Sequence, residues 1–179
     1  MKEIQKRVLM ELIGNCKRSD RELAKALDIS QPTVTRVRTW LEKNNFIREY
    51  TIIPKFSKVG LEMIAFTFFK IRVGATKETL IEIRRKTEEF LKNHPNIILA
   101  LRGEGMGADG IIVSLHKDFA SFTQFMRELK TETVNTEVIG NFLASLKATE
   151  QYRCLTLQPI KEYIENIKGE EEEETSQEE

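Results

Sequence analysis

Between residues 18 and 39 the chain carries a run of side chains that donate or accept hydrogen bonds, several of them cationic. They are Arg18, Ser19, Arg21, Ser30, Gln31, Thr33, Thr35, Arg36, Arg38 and Thr39. Arginine pairs bidentately with guanine and glutamine with adenine, while threonine bonds a base edge or touches the thymine methyl. A helix turns about 100° per residue, so setting Val34, Val37 and Leu41 inward places Pro32, Thr35, Arg36 and Thr39 outward. Gln31, Thr33 and Arg38 then lie on the flanks, and no acid appears on the outward face before Glu42. Ser19, Arg18 and Arg21 stand at the start of the preceding helix, where an open N-terminus also favours phosphate. Ser30 precedes the reading helix at its cap. The pattern suits duplex DNA. The competing reading is a solvated or protein-docking face, as in an interaction or scaffold module.

No other group of residues points to chemistry as clearly. Gly103-Glu104-Gly105-Met106-Gly107 has the spacing of a phosphate loop, but a strand pattern follows it and no Gly-Lys-Ser/Thr is present. A glycine-rich turn fits better. Gly103, Gly105, Gly107 and Asp109 stay as candidates for a small-molecule site shared across a dimer. His94 and His116 are isolated from cysteine and from close acids, outside any metal or nucleophile constellation. His94-Pro95 reads as a helix end, where an imidazolium suits the dipole. Trp40 is expected to pack on the first helix or on a partner subunit, and Phe119, Phe122, Phe125 and Met126 to lie in a core. Neither catalysis nor a cofactor or metal is expected.

The elements that position these residues follow from periodicity and capping. Ile4, Val8, Leu9, Leu12 and Ile13 form a helical stripe over 3–15. Ser19 and Glu22 have capping-box spacing before a helix over 20–27. Asp28-Ile29 turns the chain, and Ser30 caps a third helix with Pro32 in its first turn. Asn44-Asn45 closes it, and Phe46 to Ile53 reads as a β-rich wing ended by Pro54. Beyond Leu61 come a strand (61–73), a helix (76–93), strands from Ile97 to Leu101 and from Gly110 to Leu115, a helix around Phe122 and a strand from Val138 to Lys147. Tyr152 to Leu157 extends or flanks that last strand. The order β-α-β-β-α-β is ferredoxin-like. Residues 159–168 read as a short helix, and the glutamate-rich end as disordered.

Charge is partitioned along the chain. The 179 residues sum to zero, yet residues 1–58 hold 13 Lys/Arg against 7 Asp/Glu, a net of +6, and residues 170–179 hold seven Glu and no base. A basic domain, a neutral one and an acidic tail are a different object from a neutral protein. A solubilising tail is the preferred reading over one that screens the reader from nonspecific DNA. Two distant cysteines, Cys16 and Cys154, make no disulfide framework, and no apolar run spans a bilayer. A cytoplasmic, nucleoid-associated protein is expected.

Arg21-Glu22-Leu23-Ala24, Ile29-Ser30, Val34-Thr35-Arg36-Val37, Leu41-Glu42 and Phe46-Ile47-Arg48-Glu49-Tyr50, followed by Lys58-Val59-Gly60-Leu61 and Ala65-Phe66, resemble the Lrp/AsnC regulators of bacteria and archaea. The resemblance covers about residues 3–147. It implies a transcriptional regulator that is α+β in class, a winged helix-turn-helix joined to a ferredoxin-like domain. It further implies dimers or higher homo-oligomers through the second domain, a palindromic double-stranded DNA site and, in many members, an amino-acid effector. The family usually has a Gly three residues before an Asp in the loop between the second and third strands. Here Gly105 lies four before Asp109 and Gly107 two before. The expected domains are 1–58, 59–158 and a tail over 159–179.

Overall fold

The computed structural model describes residues 1–72, 77–133, 135–147 and 152–166. The chain divides into two compact units, one of residues 1–53 with 152–179 and the other of residues 54–151. The first boundary thus falls five residues earlier than expected. Residues 152–158, expected in the second domain, group with the first.

Three helices build the first unit: α1 (Glu3–Gly14), α2 (Asp20–Leu27) and α3 (Gln31–Lys43). Their inward stripes, Val8 and Leu12, Leu23, Ala24 and Leu27, and Val34, Val37 and Leu41, make one aliphatic core. Each of the larger side chains contributes on the order of 1.5–3 kcal/mol by leaving water. The caps are those expected. Ser19 and Glu22 satisfy each other's backbone at the start of α2, and the Ser30 hydroxyl accepts from the Thr33 N–H at the start of α3. Asp28 ends α2 in the left-handed region, and the Arg7 guanidinium donates to the Leu27 carbonyl at 3.1 Å. That cation meets the negative end of the helix.

The wing departs from expectation. Residues 46–55 form no strand, because nothing among the described residues offers their N–H and C=O groups a ladder. The segment is held by side chains instead: Phe46 stacks on Trp40 at 5.1 Å and the Tyr50 hydroxyl donates to Glu42 at 2.9 Å. Residues 152–157 also form no strand. A short helix spans Ile160–Asn166 and packs on α1. The glutamate-rich end lies outside the described residues.

The second unit is a four-stranded antiparallel sheet: β1 (Met63–Ile71), β2 (Ile97–Gly105), β3 (Ala108–His116) and β4 (Thr136–Ser145), in the order β2-β3-β1-β4. The helices α4 (Lys77–Asn93) and α5 (Phe119–Glu132) connect its strands, and the helix at Ile160–Asn166 is therefore α6. This is the ferredoxin-like order. Phe90 of α4 and Phe122, Phe125 and Leu129 of α5 pack on Ala65 and Ile112. Phe119, expected in that core, is 61% exposed. As the first residue of α5, just after the Asp118 cap, it begins the helix rather than bedding on the sheet. Gly110 is required by close approach, since a Cβ there would come within 2.5 Å of the Leu101 carbonyl oxygen. No helix of the described residues is long and apolar enough to cross a membrane.

Candidate nucleic-acid interface

Val34, Val37 and Leu41 are buried, so α3 turns the expected residues outward: Pro32, Thr35, Arg36 and Thr39 are exposed, as is Gln31 on the flank. The ten candidate side chains nevertheless divide into two sets. Arg21, Gln31, Arg36 and Thr39 hold no side-chain partner among the described residues, which leaves their donors available to a ligand. The others are engaged within the fold. Ser19 donates to Glu22 Oε2 at 2.7 Å, and the Ser30 and Thr33 hydroxyls bond each other at 2.8 Å. These three serve the helix caps.

Arg38 is committed further. Its Nε lies 2.9 Å from Asp20 Oδ1, and its guanidinium donates to the Arg18 carbonyl at 3.0 Å. Both side chains are only about a fifth exposed, 22% and 21%. Asp20 also accepts from the Thr35 hydroxyl at 2.6 Å through its other oxygen. One carboxylate at the first residue of α2 therefore fixes α3 by two of its side chains. Arg38, expected on the flank as a DNA contact, is thus a clamp between α3 and the start of α2. Asp20 was not among the candidates. The sequence signal for it was present, an acid in the first turn of a capped helix facing a basic partner, but its partners lie 15 and 18 residues away on another helix.

Arg18 is drawn to Glu11 of α1, and Lys161 of α6 donates to the same carboxylate at 2.7 Å. These neighbours, with Lys161 the first among them, hold the Glu11 carboxyl below its ordinary range. Arg18, expected at a phosphate, is paired with Glu11. Glu22 is also held low, by its hydrogen bonds to Ser19. Burial, with Glu42 as acceptor, pushes the Tyr50 hydroxyl up to about 12, so it donates to Glu42 at any physiological pH.

The glycine run forms a tight hairpin. Gly103 lies inside β2 and Gly105 ends it, and Gly105 pairs directly with Ala108. Only Met106 and Gly107 turn, at φ of 53° and 75°. Left-handed backbone at two central residues makes a tight hairpin, which glycine accommodates without strain. The longer loop expected from the three glycines is a two-residue turn. The Asp109 carboxylate accepts from the Ile71 N–H at 2.7 Å, closing the end of β1. The four candidates therefore build a hairpin and a strand end. Trp40 packs within its own unit, against the reader core and Phe46.

Residues 1–48 match the winged helix-turn-helix DNA-binding family. Over 152 residues the chain is 26% identical to an uncharacterised HTH-type transcriptional regulator of Pyrococcus abyssi, covering 85% of this chain and 88% of that one. Among solved structures it resembles the regulator NMB0573 of Neisseria meningitidis in complex with L-methionine, at a TM-score of 0.68 and 17% identity over 89% of this chain and 99% of that one. An AsnC family regulator from Agrobacterium tumefaciens superposes at 0.66 with 21% identity over 87% and 95%. LrpC of Bacillus subtilis does so at 0.65 with 17% identity over 86% and 99%. The chain carries a winged helix-turn-helix of the DNA-binding type and has the fold of the Lrp/AsnC regulators. The family match lies in the N-terminal unit, and the likeness to the solved regulators extends over both units.

Proposed function

We propose that this regulator reads a palindromic DNA site as a homodimer, with Arg21, Gln31, Arg36 and Thr39 as its DNA contacts. The observation that carries the reading is the division on α3: the clamp of Asp20 on Arg38 and Thr35 holds the helix, while the side chains left without partners sit on its outward face. A helix presented in this way enters the major groove and reads with its N-terminal half. Gln31 and Arg36 occupy that half. Arg21, at the start of α2, suits a phosphate.

The second copy is assigned to the sheet. Strand residues alternate between faces, so those adjacent to the helix-covered set point the other way. On that other face, cross-strand registers align Leu99, Val113, Phe66 and Phe142 in one row and Leu101, Ile111 and Phe68 in the next. Leu99, Leu101 and Phe142 are 44%, 51% and 61% exposed. An apolar surface running across four strands is the kind that an identical face covers, and a two-fold pair of readers matches half-sites one helical turn apart. An amino acid is the proposed class of effector, by analogy with the L-methionine in the Neisseria regulator. The protein is read as non-enzymatic and as acting in the cytoplasm at the nucleoid.

Selection from random duplexes at two salt concentrations tests the reading. An enriched palindrome bound less tightly at high salt supports it, because phosphate contacts release counterions. No binding even at low salt overturns it in favour of a protein-interaction module. Arg36→Ala is expected to weaken the selected site by about 1–3 kcal/mol and to relax preference at one position. A uniform loss on all sequences would assign Arg36 to phosphate.

A further inference from the structure

Helix α6 belongs to the same unit as the DNA reader and packs on α1. Lys161 reaches Glu11 at 2.7 Å, and the Gln158 side chain donates to the Gly14 carbonyl at 3.4 Å. Glu11 also holds Arg18, whose carbonyl accepts from Arg38, the residue clamped with Thr35 by Asp20. A continuous polar chain therefore joins α6 to the recognition helix. The solved relatives are matched over 95–99% of their own length but only 86–89% of this chain, which is the longer one.

The described chain ends at Asn166, and thirteen residues follow, among them Glu170, Glu171, Glu172, Glu173, Glu174, Glu178 and Glu179. Thirteen residues reach about 43 Å when extended. The longest helix of the unit, α3, has 13 residues and is therefore only about 20 Å long. The net charge of −7 over 170–179 stands opposite the +6 of residues 1–58. Arg21 and Arg36, without partners among the described residues, are exposed cations of the same unit.

We infer that the C-terminal segment is an intramolecular competitor of DNA: α6 fastens it to the reader unit, and the glutamates of residues 170–179 occupy the reader's cations when no DNA is bound. The inference rests on the DNA-reading function proposed above. It replaces the solubilising role that composition alone favoured, because α6 seats the tail's root on the reader unit. A tethered competitor acts at millimolar effective concentration. It must be displaced by any duplex, so specific and nonspecific complexes lose the same factor. Sites bound through phosphate alone then fall below occupancy, while sites with base contacts stay filled. Contacts between tail and reader are themselves screened by salt.

The test is binding of a random-sequence duplex between 50 and 200 mM salt, by fluorescence anisotropy. It compares the full chain, a chain ending at Gly169, the full-length variant E170Q/E171Q/E172Q/E173Q/E174Q, and K161Q. The truncated and glutamine variants are expected to bind roughly tenfold tighter at the lowest salt, with a steeper salt slope that converges on the full chain as salt rises. K161Q removes a cation, which by itself can only weaken DNA binding. A gain of roughly two- to threefold would therefore report release of the tethered tail. Equal affinity and slope for all four proteins overturn the inference and leave the DNA reading standing. A gain on truncation with none in K161Q overturns the part given to α6. No binding by any of them overturns the DNA reading, and the inference falls with it.

Discussion

The two units solve the problem of holding a working surface in place by different means. In the reader the core is aliphatic, and ion pairs that are only 20–38% exposed join the helices: Glu11 with Arg18 and Lys161, and Asp20 with Arg38. In the sheet unit the core is aromatic, with Phe90, Phe122 and Phe125 around two buried imidazoles, His94 and His116. Its Arg pairs, Arg72 with Glu137, Arg84 with Glu88 and Arg85 with Glu89, are 52–83% exposed, while His94 meets Glu128 between α4 and α5 at 10% and 35%. Exposed pairs contribute little, at most about 1 kcal/mol. Charge therefore positions α3, whereas the sheet is positioned by ring packing and backbone ladders. A helix that must meet DNA at a set angle gains from directional bonds, and a face that meets an apolar partner does not need them.

Core truncations should separate the two kinds of packing most strongly. Phe125→Ala removes the ring that touches Phe90, His94 and His116, and a loss of about 3–5 kcal/mol is expected. Leu41→Ala in the aliphatic core should cost about 2–5 kcal/mol. Hydrogen exchange in the full chain checks both: lost protection should centre on β3 and α5 in the first case and on α1 to α3 in the second. Loss confined to the other unit in either variant would break the comparison.

The clamp gives a smaller effect with a clearer signature. Asp20→Ala should lower stability by about 1.5–3 kcal/mol, the scale of a hydrogen bond to a charged group. It also frees Arg38 and Thr35. The salt slope of DNA binding should then rise by about one, because another guanidinium becomes available to phosphate. Preference for the selected site should fall as α3 loses its fixed pitch. An unchanged slope with unchanged preference would mean that packing alone positions α3.

The sequence disclosed best what is local. Ser19 and Glu22, Ser30 and Pro32, and Asn44-Asn45 bound α2 and α3 because capping is decided within a turn of helix. The sheet order followed from the alternation of elements, since a ferredoxin-like chain has few ways to pair its strands. Long-range choices were hidden. Nothing near Arg38 says that it will pair with Asp20, and nothing near Glu11 announces Lys161, 150 residues on. The glycine run misled for a related reason: Gly103, Gly105 and Gly107 look alike in sequence, yet only Gly107 lies in the turn. The β-rich stretch from Phe46 to Ile53 has strand composition without a strand partner among the described residues. Composition states a preference, and pairing needs a second segment.

Protonation of the buried imidazole is the finest probe of the contrast. His116 is 3% exposed, bonded through Nε2 to the Ser114 hydroxyl at 2.8 Å and set edge-on to Phe122. Burial depresses its pKa below the ordinary 6.5. The unfolded chain therefore takes up a proton first as pH falls. Stability from this group is complete above about 6.5 and declines as the pH drops from there toward the folded-state value. The depressed carboxyl of Glu11 acts in the same direction but in a separate window, below its ordinary 4.5. Urea unfolding from pH 7.5 to 5 should thus show a loss in the sheet unit's protection that His116→Gln reduces, with little change in the reader. An identical pH slope in that variant would place the titration elsewhere, and the neutral state of His116 would then contribute nothing to the fold's pH dependence.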